Sequence, residues 1–169
     1  QEIEHLTGVS IKDVPTMSAD DLRVIHSKGF GIGSHTISHP ILAKSDAKFA
    51  YDEIAHAREQ LEFIVGGKVT GFAYPNGVPG KDFSPEHVEM VKRAGYSYAV
   101  TTHWGAAIGD SSPFQIPRFT PWGPSSQRME LQTARNLLHP PLALPEPEKN
   151  KNRVLMVAFH FPPQAGSSG

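Results

Sequence analysis

The chain has 169 residues, a formal net charge of −1 and no cysteine. The near-neutral charge argues against nucleic acid or an anionic membrane surface as the main partner. The lack of cysteine excludes disulfides, thiolate metal sites and a cysteine nucleophile. Fifteen glycines and fifteen prolines predict many turns rather than a helical bundle. The longest unbroken apolar run, residues 154–159, is too short to span a bilayer.

Helices are predicted where a capping residue precedes an amphipathic stretch, and strands where a short apolar run follows glycine. In chain order the expected elements are a helix from Ser18 to Lys28, a strand at 30–33, a helix from about Ser45 to Val65, a strand at 69–74, a helix opened by Ser84 and Pro85 and stopped by Gly95, a strand at 96–101 and a helix at 125–138. This alternation implies crossover connections between parallel strands, and hence an α/β barrel or layered sheet. In such folds the functional loops follow the strands' carboxyl ends.

The predicted helices indicate which side chains face the core and which face solvent. Residues expected to form the inner stripe of the second helix are Phe49, Ile54, Leu61 and Ile64. Histidines expected at the surface, because they lie on helices or in the lead-in, are His5, His26, His56 and His87.

Two histidines follow the first predicted strand at a spacing of four. They are His35 and His39, within the run Ser34-His35-Thr36-Ile37-Ser38-His39-Pro40. Two imidazoles at this spacing can converge on one cation when the residues between them form a single turn. The alternative is a polar turn in which one histidine binds the backbone. The place after a strand end and the flanking hydroxyls favour a metal site, with zinc as the default ion.

Residues 33–40 resemble the second motif, H(S/T)xxH, of polysaccharide deacetylases with the NodB homology domain (carbohydrate esterase family 4). Other segments resemble further parts of that family in the same order: 15–29 the preceding helix, 72–77 (FAYPNG) the FAYPxG form of the third motif, 94–102 the next strand and 114–118 (FQIPR) the later F-x-(L/I)-P-R segment. The resemblance covers residues 14–120. It implies an α/β fold that is a partial (β/α) barrel with mainly parallel strands.

The resemblance implies a metal-dependent hydrolase that removes N-acetyl groups from an amino-sugar polysaccharide. His35 and His39 would be two ligands of a divalent metal that polarises the acetyl carbonyl and lowers the pKa of a bound water. A carboxylate base would take a proton from that water, and the backbone N–H of Asn76 would help to hold the oxyanion. Candidate substrate-binding residues are Tyr74, His103, Trp104 and Arg118.

Each substrate-binding candidate has an alternative. Tyr74 either lines the sugar groove or packs in the core, and His103 with Trp104 either stacks on a sugar or forms a pair at the solvent edge. Arg118 either supplies a counter-charge to the catalytic base or closes a surface loop.

Two features depart from the family pattern. The aspartate pair of the first motif, which supplies the base and the third metal ligand, has no counterpart upstream of the histidines, and Asp20 and Asp21 fit a helix start instead. The arginine of the third motif aligns with Ala73, for which Arg118 is a candidate substitute. We therefore expect residues 1–138 to be the C-terminal portion of a longer deacetylase. A catalytically silent carbohydrate-binding module is the alternative.

The end of the chain permits two interpretations. Residues 139–152 are rich in proline and charge and read as a linker. Residues 157–160 loosely match the fifth family motif, LxIH, in which His160 would be the general acid. Alternatively, residues 153–169 resemble the first strand and glycine-rich loop of a GT-B glycosyltransferase, which the linker favours. A weaker option treats the whole piece as a linker region of such an enzyme. Location in the bacterial cell envelope and in the cytoplasm both stay open.

Overall fold

The structure, a computed structural model, describes residues 17–109, 111–120, 125–139 and 142–145. Its elements are, in chain order, α1 (Ala19–Ser27), β1 (Gly33–Ser34), a 3₁₀ turn (Leu42–Lys44), α2 (Ala47–Val65), β2 (Gly71–Ala73), α3 (Pro85–Arg93), β3 (Tyr98–Val100) and α4 (Ser126–Leu137). The predicted order of helices and strands is therefore confirmed, while every strand is shorter than predicted. No helix in the described residues is long and apolar enough to cross a membrane. Residues 153–169, with the glycosyltransferase-like stretch and His160, lie outside these residues, as does most of the predicted linker.

The helices begin where the capping residues predict. Ser18 forms a capping box with Asp21, in which each side chain accepts from the backbone N–H of the other. Ser84 caps α3 with Pro85 in its first turn, as predicted. The cap of α2 is Asp46 rather than Ser45, because the Asp46 carboxylate accepts from the Phe49 N–H at 2.9 Å.

The first strand begins later than predicted. Gly29 ends α1 in the left-handed region at φ 86°, and the Phe30 N–H donates back to the Ile25 carbonyl at 3.4 Å. Phe30 is therefore part of the helix-ending turn, and its side chain is 65% exposed. The prediction of a buried strand at 30–33 was wrong for its first residues, and β1 occupies Gly33–Ser34.

The three strands form one parallel sheet with β2 in the middle. Gly33 pairs with Gly71, and Gly71 pairs in turn with Tyr98. An isolated parallel bridge from Val100 to Ile116 continues the pairing beyond β3. Because the strands are parallel and in close register, the loops after β1, β2 and β3 leave from the same edge of the sheet.

The core lies between the sheet and helices α2 and α3. Tyr74 and Phe83 stack face to face with ring centroids 3.8 Å apart, and Phe72 meets Tyr74 edge to face at 5.2 Å. Ile54 is fully buried on α2 as predicted, whereas Phe49 is 44% exposed, so its assignment to the inner stripe was wrong. Phe49 lies away from the buried side of the helix, which is formed by Ala50, Glu53, Ile54 and Ala57.

Candidate active site

His35 and His39 lie side by side directly after β1. Their ring centroids are 4.7 Å apart, the ring planes meet at 74°, and both residues are exposed to solvent. The Nδ1 of His35 lies 2.7 Å from the carbonyl oxygen of Ala73, the last residue of β2. A carbonyl oxygen only accepts, so this Nδ1 carries the proton and Nε2 keeps its lone pair. The β2 strand thus fixes the tautomer that a metal-ligating imidazole needs.

The surroundings of His35 also favour the neutral ring. Its pKa is lowered from the ordinary value of 6.5, first because the surrounding protein desolvates the imidazolium, and further because His39 and Arg118 repel the positive charge. The hydrogen bond to Ala73 opposes this effect. A neutral imidazole is the form that coordinates a metal ion.

The turn between the histidines has an unusual backbone. Thr36 and His39 adopt positive φ angles of 63° and 58°, a region that non-glycine residues rarely enter. Within the turn, the Thr36 hydroxyl donates to the His35 carbonyl oxygen and accepts from the His39 N–H at 3.1 Å. These bonds close the single turn that the four-residue spacing required.

Glu53 is the residue of this site that sequence reasoning missed. It lies on α2, is 7% exposed, and its carboxylate accepts from the Ile37 N–H at 2.9 Å, the Ser38 N–H at 2.8 Å and the Ser38 hydroxyl at 2.9 Å. Burial acts to raise the pKa of Glu53, but the hydrogen bonds from Ser38 and Ile37 outweigh it and lower that pKa. A signal was present in the sequence, because a carboxylate occupies the helical stripe formed by Ala50, Ile54 and Ala57.

The loop after β2 presents an open backbone donor. Asn76 has φ 55°, and its carbonyl oxygen accepts from the Thr102 hydroxyl. The next amide, that of Gly77, donates to the Pro75 carbonyl at 2.6 Å, whereas the Asn76 N–H has no acceptor among the described residues. Among the described residues this N–H is therefore available to donate to a ligand, which is the role that the resemblance implies for it.

Arg118 approaches the histidines from the segment that follows the Val100–Ile116 bridge. The backbone N–H of Arg118 donates to the His103 carbonyl at 3.2 Å, and its guanidinium charge is close enough to lower the pKa of His35. Burial lowers the pKa of Arg118 itself, and the guanidinium forms no ion pair with any carboxylate in the described part of the chain. A half-buried cation in this position suits an anionic partner.

The loop after β3 carries the remaining candidates. Trp104 is 38% exposed and packs edge to face on Phe119 at 4.9 Å, so part of its ring is available to a ligand. The residue after Trp104, Gly105, is held by the side chain of Asn136 on α4. This side chain accepts from the Gly105 N–H at 2.8 Å and donates to the Gly105 carbonyl at 3.2 Å. This clamp fixes the loop on which His103 and Trp104 lie.

Tyr74 takes the core position that the sequence left as an alternative. Its side chain is fully buried, it stacks on Phe83, and its hydroxyl donates to the Phe114 carbonyl at 3.1 Å. A ring with no exposed surface cannot contact a sugar in this conformation, so its assignment to substrate binding is corrected. His87 is a second correction: it is 6% exposed rather than on the surface, and its Nδ1 accepts from the Ser84 N–H at 3.1 Å.

The described residues bring together two of the metal ligands that the resemblance implies, His35 and His39, and no third. Within the described ranges, no three histidine, aspartate or glutamate side chains lie together in a way that would hold a metal ion. Asp21 is bound to Ser18 and Asp20 to Arg23, so both serve α1 as expected. The described residues thus contain half of the site that the resemblance implies.

Comparisons with known proteins identify relatives of this chain. The sequence model of the polysaccharide deacetylase family matches residues 4–99, which is more than half of the chain. The protein YxkH of Bacillus subtilis, itself only provisionally named a polysaccharide deacetylase, is 25% identical over 113 residues, or 67% of this chain and 39% of its own length.

Solved structures agree with this assignment. BC0361, a polysaccharide deacetylase from Bacillus cereus, has a TM-score of 0.60 and 26% identity, over 73% of this chain and 38% of its own. The Streptococcus pyogenes deacetylase PplD, solved in complex with acetate, has a TM-score of 0.63 over 72% of this chain and 52% of its own. At 20% sequence identity, this match is evidence for the fold alone. The chain therefore spans about half or less of the length of each of these three relatives, and it belongs to the polysaccharide deacetylase family, with the NodB-type β/α barrel fold.

Proposed function

We propose that the protein containing this chain is a metal-dependent hydrolase that removes N-acetyl groups from an amino-sugar polysaccharide. The observation that carries the proposal is the pair of imidazoles at the exit of β1, with the Nδ1 of His35 bound to the Ala73 carbonyl. Family membership supports deacetylation as the reaction, and the proposal adds the metal and the substrate class.

The histidines fit a divalent ion, with zinc as the default. The fixed tautomer of His35 leaves the lone pair of Nε2 available to coordinate a metal ion, and the His39 ring lies beside it. When bound, the metal would supply Lewis-acid polarisation of the acetyl carbonyl and a water of lowered pKa. We propose that the third ligand and the base are aspartates from outside the described residues.

The remaining residues bind and orient the substrate. The free N–H of Asn76 would donate to the oxyanion, and the exposed part of Trp104 would stack on a sugar ring. Arg118 would supply the counter-charge for the catalytic carboxylate, since the family's arginine position is Ala73 and no acid in the described residues pairs with Arg118.

Acetate release tests this function. The full-length protein loaded with zinc is expected to release acetate from chito-oligosaccharides, and the double variant His35→Ala, His39→Ala to lose both bound zinc and activity. The exposed histidine on α2, His56→Ala, is a matched control that keeps both. If the zinc-loaded wild type releases no acetate from any amino-sugar polymer tried, the catalytic proposal fails.

A carbohydrate-binding module without catalytic activity is the second candidate. It is favoured by Ala73 in the arginine position and by the lack of a third metal ligand among the described residues. Binding of chito-oligosaccharides without acetate release by the zinc-loaded protein would support it. A fused glycosyltransferase stays a prediction that rests on residues 153–169, outside the described part of the chain.

A further inference from the structure

We propose that Glu53 is a positioning residue that sets the geometry of the two metal-ligating histidines through the loop between them. The inference rests on the proposed metal site and concerns what holds its ligands in place. The carboxylate contacts neither imidazole in the hydrogen bonds that it forms. It binds Ile37 and Ser38, the two residues that directly precede His39.

The loop needs support from outside. Thr36 and His39 both adopt left-handed conformations, which are disfavoured for any residue with a Cβ and most of all for a β-branched one. Such conformations persist when surrounding contacts determine them. The bonds of the Thr36 hydroxyl lie within the turn and move with it, so they do not fix the turn relative to the sheet.

The Glu53 carboxylate supplies that outside support. One oxygen, Oε2, accepts both backbone N–H groups at 2.8 and 2.9 Å, and Oε1 accepts the Ser38 hydroxyl at 2.9 Å. Hydrogen bonds to an ionised acceptor are about twice as strong as neutral ones. Both oxygens of the side chain are thus committed to a single turn of the chain.

The helix that carries Glu53 is itself fixed. Ile54, the next residue, is fully buried in the core. Arg58, five residues after Glu53, donates to the Val69 carbonyl at 3.0 Å and to the Ala94 carbonyl at 2.6 Å, so α2 is tied to the segment before β2 and to the end of α3. Glu53 therefore fixes the position of His39 relative to the packed helix α2. The hydrogen bond to the Ala73 carbonyl fixes His35 relative to β2.

Two conservative variants separate geometry from charge. In Glu53→Gln the amide oxygen can accept both N–H groups and the amide nitrogen can donate to the Ser38 hydroxyl, so the geometry is kept and the charge is lost. In Glu53→Asp the charge is kept, but the carboxylate is withdrawn by one methylene and cannot reach all three donors. A role in positioning predicts that the glutamine variant resembles the wild type and the aspartate variant does not.

The experiment is zinc titration by calorimetry on the full-length protein, together with amide hydrogen exchange of Ile37 and Ser38. Loss of an outer-shell partner typically weakens metal binding by about 10–100-fold. We expect Glu53→Asp to weaken zinc binding by about tenfold or more and to speed exchange of both amides, and Glu53→Gln to keep most of the affinity and protection. Glu59→Gln, at an exposed position of the same helix, is the matched control and should change neither.

The outcomes distinguish this inference from the proposed function. If zinc binding is lost in the double histidine variant but is unchanged in Glu53→Asp, the positioning role is refuted and the metal site stands. If Glu53→Gln binds zinc as weakly as Glu53→Asp or more weakly, keeping the hydrogen-bond geometry does not keep the affinity, and the inference is also refuted. If the double histidine variant binds zinc as the wild type does, the proposed metal site itself fails.

Discussion

Replacing Asn136 with alanine removes the clamp on the loop that carries Trp104. The Asn136 side chain is 6% exposed and forms two hydrogen bonds with the backbone of Gly105, which is also buried. Alanine leaves the Gly105 N–H and carbonyl without these partners in a place that water does not reach freely. A buried polar group that loses its partner costs about 1–3 kcal/mol. We therefore expect Asn136→Ala to lower the free energy of unfolding by about 2–6 kcal/mol for the two groups together.

Urea denaturation followed by circular dichroism measures this change, and the neighbouring position provides the control. Leu137 lies on the same helix and is 65% exposed, so Leu137→Ala is expected to cost less than about 0.5 kcal/mol. Asn136→Asp tests the chemistry further, because a carboxylate can accept from the Gly105 N–H but repels the Gly105 carbonyl. It should be no more stable than the alanine variant despite its nearly identical shape. If Asn136→Ala unfolds at the same urea concentration as Leu137→Ala, the clamp does not stabilise the loop.

Three other predictions concern the loops of the site. Gly77→Ala should destabilise the protein by at least about 1–2 kcal/mol in urea denaturation, because φ is 75° and an added Cβ would lie 2.9 Å from the Thr102 nitrogen; an unchanged midpoint would contradict this. Asn76→Gly should retain acetate release within a few-fold, since only the backbone N–H is required, and a loss of about 100-fold or more would mean that the side chain acts. Because the pKa of Glu53 is lowered in the folded protein, its carboxylate stabilises the fold fully above the ordinary pKa of 4.5, and this stabilisation is lost as the pH falls through the pKa of the folded state. Glu53→Gln should therefore reduce the loss of stability at acid pH, measured as the free energy of unfolding against pH. A loss identical to that of the wild type would contradict this.

Local signals predicted the elements of this fold well. Ser18 and Ser84 cap the helices as expected, because capping depends on a few neighbouring residues and not on the rest of the chain. The histidine pair was also predictable, since a four-residue spacing after a strand exit needs only a single turn to bring the rings close. Features that depend only on neighbouring residues can therefore be predicted from the sequence.

Features that depend on distant parts of the chain were missed. Phe49 and His87 were assigned to the wrong side of their helices, because which face of a helix meets the sheet depends on how the helix packs. Glu53 lies 14 residues beyond His39 in the sequence, and its partners became evident only when α2 was placed against the turn at 37–38. A carboxylate in an otherwise apolar helical stripe is the pattern that would have indicated it.

The parallel sheet explains how so short a stretch of chain brings together several groups of the proposed site. The β1 exit supplies the two imidazoles, the β2 exit supplies both the Ala73 carbonyl that orients His35 and the free N–H of Asn76, and the segment beyond β3 brings in Arg118. Each strand contributes a different kind of group, and parallel pairing delivers them to one edge without long-range adjustment. Arg118, which has no ion-pair partner among the described residues, and the two histidines of the proposed metal site would both be complemented by an anionic oxygen. Carboxylates from outside the described residues would satisfy both, which is the role that the proposed function gives to the base and the third ligand.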